Sequence, residues 1–71
     1  MDETYREMYE RKNRRIMELT DYCEKNNIFD AQTIAELAMR FYSVSPSVAR
    51  DYAEIVQARL LYRRLKPPVT I

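Results

Sequence analysis

The chain has 71 residues, no glycine, no histidine and one cysteine, with 12 basic side chains against 11 acidic ones. Without histidine the commonest general base and metal ligand is missing. Without glycine no phosphate-cradling loop forms, and one cysteine makes neither a zinc site nor an internal disulfide. These absences argue against an enzyme, a metal or cofactor and a small-molecule substrate, and the near-neutral charge gives no whole-chain electrostatic case for nucleic acid.

Residues Asp2 to about Asn26 read as one long helix of roughly 36 Å. Asp2 can cap it, and Asn26-Asn27 can end it because asparagine tolerates the left-handed conformation. Asp2 with Arg6, Glu7 with Arg11 and Glu10 with Arg14 are acid-before-base pairs four apart, each a weak helix support. Tyr5, Tyr9, Lys12, Ile16, Leu19 and Cys23 alternate four and three apart like the inward positions of a heptad. Ile16, Leu19 and Cys23 suit the domain's own core. Tyr5 and Tyr9 suit an arm that overshoots it and wants a partner, with Lys12 snorkelling to water. Arg11, Lys12, Arg14 and Arg15 form the densest basic cluster. Arg11, Arg14 and Arg15 point away from the seam, towards phosphates or towards Glu7, Glu10 and Glu18.

The middle helix starts at Asp30 as cap, with Phe29 and Ile34 placed for a hydrophobic staple. Ile34, Leu37, Ala38 and Phe41 form its buried stripe. The pattern breaks at Ser43-Val44-Ser45-Pro46-Ser47 and restarts at Val48. Ser45 can cap the new helix, and Pro46 fits its first position, where a missing N–H costs nothing.

On these residues, the stretch from Thr33 to Tyr52 resembles the helix-turn-helix of winged-helix repressors, although no strand pair for a wing follows. Ile34, Ala35, Leu37, Ala38, Phe41, Val44, Ser45, Val48, Ala49 and Arg50 carry the likeness. Ser43 stands where that family usually has glycine. The resemblance implies DNA binding and transcription regulation, with the helix after the turn as the reading element.

That last helix runs from Pro46 to about Leu65, where Pro67-Pro68 forbids continuation. Val48, Ala49, Tyr52, Ile55, Val56 and Leu60 share its core side. Opposite them, Ser47, Arg50, Glu54 and Gln57 occupy the positions that would face a major groove, where arginine suits guanine and glutamine suits adenine. Asp51 and Glu54 oppose that use. Farther along, Ala58, Leu61, Tyr62 and Leu65 form a second apolar stripe, ringed by Arg59, Arg63, Arg64 and Lys66. A helix apolar on two sides is buried on two sides. Pro67 to Ile71 folding back is one cover, but five residues led by two prolines are little to hide Leu61, Tyr62 and Leu65, which favours another chain.

The expected architecture is all-α: three helices with a helix-turn-helix core and long first and last helices. Residues 1–66 form one helical domain and residues 67–71 a short tail. No apolar run spans a membrane, the N-terminus is too charged for a secretory signal, and the lone cysteine suits a reducing cytoplasm. Two functions fit. One is a small DNA-binding protein acting as a dimer, with Ser47, Arg50 and Gln57 at the bases and Arg11, Arg14 and Arg15 on phosphates. There the dimer supplies a second half-site through Tyr5, Tyr9, Ala58, Leu61, Tyr62 and Leu65. The other is an accessory subunit that packs those same apolar faces on a larger protein. The turn favours the first; the neutral charge, the acids on the reading face and the second stripe favour the second.

Overall fold

Every helix starts at a residue whose side-chain oxygen can cap it, and these caps set the boundaries. The computed structural model describes residues 4–65, in which α1 spans Tyr5–Lys25, α2 Ala31–Tyr42 and α3 Pro46–Leu65, with no strand among the described residues. The fold is therefore all-α with long first and last helices, as the periodicity predicts. Asp2, its expected pairing with Arg6, Lys66 and the 67–71 tail lie outside the described residues.

The cap of α1 is Thr4, not Asp2. Thr4 Oγ1 accepts from the Glu7 N–H at 3.3 Å and the Glu7 carboxylate accepts from the Thr4 N–H at 3.2 Å. This reciprocal box satisfies two orphan donors at once, which Asp2 could not do with Tyr5 three residues on. At the far end the Asn26 N–H donates to the Tyr22 carbonyl, and Asn27 takes φ 57°, the left-handed value expected of it. Asp30 caps α2 by accepting from the Thr33 N–H at 2.9 Å. The hydrogen bond from the Thr33 hydroxyl, and after it the one from the Thr33 N–H, holds the Asp30 carboxyl below its usual range. Ser43 closes α2 in the left-handed region at φ 54°, donating its N–H to the Met39 carbonyl. Two residues on, Ser45 caps α3 with Pro46 first in the helix, its Oγ accepting from the Val48 N–H at 3.3 Å.

The core takes Ile16, Leu19, Thr20 and Cys23 from α1, Ile34 and Ala38 from α2, and Ala49, Tyr52, Ala53, Val56 and Leu60 from α3. Thr20 is buried without cost because its hydroxyl donates to the Ile16 carbonyl at 2.6 Å. Burial pushes the Cys23 thiol up, with a smaller push from Asp30, so it packs as a small inert hydrophobe. Two expected core residues lie at the rim instead. Val48 is 40% exposed, because the buried arc of α3 centres on Ala49, Val56 and Leu60 and leaves Val48 and Ile55 together at one edge. Phe41 is 44% exposed and sets its edge against Tyr22, ring centres 5.2 Å apart.

Ion pairs at two places fix the relation of the long helices. Lys12 Nζ lies 3.0 Å from Asp51, and the Arg63 guanidinium lies 2.6 Å from Glu24 and 3.0 Å from Asp21. Lys12–Asp51 and Glu24–Arg63 each join residues 39 apart in sequence, so α1 and α3 run in the same direction. Leu61 is therefore level with about Tyr22 of α1, and Tyr5 is about 25 Å away along the axis. The Tyr5–Tyr9 segment and the Leu61–Leu65 segment sit at opposite ends of the domain. Within one protomer the two segments do not meet, so a contact that joins them needs two chains.

Candidate nucleic-acid interface and apolar faces

The exposed side of α3 changes chemistry halfway along. Its first turns present Ser47, Arg50 and Glu54, all exposed, and its last turns present Ala58, Leu61, Tyr62 and Leu65, also exposed. Beside the first half, a groove between α2 and α3 is bordered by Gln32, Glu36 and Met39 on one wall and by Arg50, Glu54 and Gln57 on the other.

Arg50 stands at the mouth of this groove, and among the described residues no hydrogen bond or ion pair holds it. Asp51, one of the two acids expected on this face, is drawn towards α1 by Lys12. Glu54 stays on it. Gln57 does not face solvent as expected. It is half-buried, and its Nε2 donates to the Phe29 carbonyl at 2.8 Å, pinning the α1–α2 connection to α3. A base-reading role for Gln57 would break that hydrogen bond.

The basic cluster on α1 divides likewise. Arg11 and Arg14 are exposed, whereas Arg15 is half-buried with its guanidinium 5.1 Å above the Tyr42 ring. Arg15 thus faces α2 rather than away from the packed seam, because a planar cation over an aromatic face gains packing and electrostatic attraction together. Lys12, on the seam, is claimed by Asp51. Arg14 is the member of the cluster on which phosphate contact can fall without disturbing a described interaction.

Tyr42, which lies outside the predicted stripe of α2, fastens this corner. Its hydroxyl lies 3.1 Å from the Arg15 carbonyl and 3.2 Å from Glu18 Oε1, and its ring meets Tyr52 edge-on with centres 6.2 Å apart. Burial first, and then the hydrogen bond to the Glu18 carboxylate, push the Tyr42 phenol up to about 12. The available signal was an aromatic one position past the Ile34–Phe41 stripe, able to reach a second helix.

The apolar surfaces are exposed as expected. Tyr5 is 91% accessible, Leu61 57% and Leu65 73%, with Tyr9 and Tyr62 between these values. Next to Leu61 a shallow cleft is lined by Phe29, Ala58, Leu60 and Arg64, and the Arg64 guanidinium covers the Phe29 ring at 4.9 Å. Arg63 is not part of the ring around this patch, because Asp21 and Glu24 turn it to α1.

Among the described residues there is no cluster of candidate metal ligands, and no helix is long and apolar enough to cross a membrane. Comparison with protein-family models, curated proteins and solved structures gives no match.

Proposed function

We propose that this protein is a small helix-turn-helix DNA-binding protein that docks the first turns of α3 against the duplex. The observation that carries this reading is Arg50: exposed, unheld, about one turn into a helix that follows a three-residue turn, with the neighbouring Asp51 charge already taken by Lys12. An arginine at that place can meet a guanine edge in two hydrogen bonds, and Ser47 one turn earlier can meet a phosphate or a base. Arg14 on α1 would add a sequence-independent phosphate contact. With Gln57 withdrawn, the base-reading set reduces to Ser47 and Arg50, so recognition would rest more on backbone contacts than on base edges.

A titration against random and genomic duplex DNA over a range of salt concentrations tests this. The reading requires affinity that falls steeply with salt, because each neutralised phosphate releases counterions. Weak or absent binding at the lowest salt would leave the second reading, an accessory subunit whose partner is a larger protein. The exposed Leu61, Tyr62 and Leu65 favour that second reading, since single exposed apolar side chains are ordinary but a clustered stripe on one helix is not.

A further inference from the structure

The second half of α3 carries a pattern that specifies its own cover. Projected at 100° per residue, Glu54, Ala58, Leu61 and Leu65 fall within an arc of about 60°. They alternate four and three apart, as the inward positions of paired helices do. All four are exposed. Ala58 is small enough to let another backbone approach closely, and Leu61 and Leu65 supply side chains to fill the space beside it. The charges are unevenly placed: Glu54 stands at the N-terminal end of the stripe, and Arg64 stands beside Leu65 at the other. Arg64 is held over Phe29, which fixes its position at that edge.

We propose that this face is covered by a second copy of the same chain, packed antiparallel, with Ala58 of each copy against Leu61 of the other. A parallel pair would set Glu54 against Glu54 in the seam, with no basic residue level with it. The antiparallel pair sets each Glu54 beside Leu65 and Arg64 of the other copy, so one twofold axis satisfies both ends. The same register brings Ile55 opposite Tyr62 on the flank that faces away from α2. An isologous twofold contact of this kind is the commonest way for a small chain to close an apolar face on itself. The inference goes beyond the DNA-binding reading and does not depend on it, since it uses neither Ser47 nor Arg50.

Sedimentation of the full chain without DNA tests the pairing, and cross-linking tests the register. The wild type is expected to sediment as a dimer. Leu61→Glu should weaken dimerisation on the order of a hundredfold or more, because the twofold removes two buried leucines at once. Its helical circular dichroism at a concentration where both proteins are monomeric should match that of wild type, since Leu61 lies outside the core. For the register, chains carrying Ala58→Cys are mixed with chains carrying Leu61→Cys and oxidised. The mixed 58–61 cross-link should dominate over 58–58 and 61–61. A wild-type monomer at every concentration, a Leu61→Glu protein that still dimerises, or preferential 58–58 and 61–61 cross-links would each overturn the proposal. None of these results bears on whether Arg50 meets DNA.

Discussion

Arg50 and Gln57 occupy the same side on a helical wheel, yet the structure holds Gln57 by a hydrogen bond and leaves Arg50 exposed, and paired substitutions separate the two. Arg50 is exposed and makes no described contact, so Arg50→Ala should change stability by no more than about 0.5 kcal/mol. If Arg50 reads a base, the same change weakens binding by roughly 1–3 kcal/mol, or about 5- to 150-fold. Gln57→Ala should do the reverse. It deletes a partly buried neutral hydrogen bond to the Phe29 carbonyl, worth about 0.5–1.5 kcal/mol. In a domain of this size each kcal/mol moves the melting temperature by about 4–8 °C. Gln57→Ala should therefore melt earlier while binding duplex DNA as wild type does below its melting range. Thermal denaturation followed by circular dichroism, and fluorescence anisotropy with a labelled duplex, read the two effects apart. A Gln57→Ala protein that loses more DNA affinity than Arg50→Ala, with unchanged melting, would refute the assignment of the reading face.

The α1 cluster should split in the same manner. Arg14→Ala should lower the magnitude of the salt slope by about one unit for all duplexes, whereas Arg15→Ala should chiefly lower stability, by about 0.5–1 kcal/mol, through its lost stacking on Tyr42. Titration curves and melts of the two single variants check this. Tyr42 predicts a loss of stability in alkali. Its phenol is raised in the folded state, so the folded protein holds the proton more tightly than the unfolded chain. That contribution is complete below pH 10 and is lost as pH rises towards 12. Denaturant unfolding across this window should show a fall in stability that is smaller in Tyr42→Phe. Finally, Ser43 sits at φ 54°, a region that costs a residue with a Cβ, so Ser43→Gly should raise stability by about 0.5–1 kcal/mol and leave helix content unchanged. Chemical denaturation midpoints report it.

What was legible in the chain was what neighbouring residues decide. Asp30, Ser45 and Pro46 mark helix starts because caps act over three or four residues, and Asn27 and Ser43 mark ends for the same reason. Thr4 was open to the same logic, through Glu7 three residues later, but Asp2 looked the stronger cap by residue type alone. What was hidden depends on groups remote in sequence. Lys12 meets Asp51, Gln57 meets the Phe29 carbonyl, and Arg15 lies under Tyr42 from another helix. A helical wheel gives the direction of a side chain but not what stands opposite it, so polar residues at the rim of the core read as free when they are latches. The relation of the ends is partly legible: two short connections make neighbouring helices antiparallel, so α1 and α3 run the same way, and the two ion pairs set which residues stand level.

The direction of α3 also bears on how a dimer could use DNA. In the familiar arrangement a twofold places two reading helices side by side on one face of a duplex, so each protomer meets one half-site. That requires a dimer face that leaves both reading faces turned the same way. Here Arg50 and Ser47 lie on the same side of α3 as Ala58, Leu61 and Leu65. In the antiparallel pair proposed above, both protomers turn that side inward towards the other, one from each direction. Their polar halves then extend past the partner's helix at opposite ends of the pair and face opposite ways. A single straight duplex cannot meet both. The stoichiometry that follows from combining the two proposals is one duplex per protomer, and a dimer so built would tether two DNA segments instead of reading adjacent half-sites.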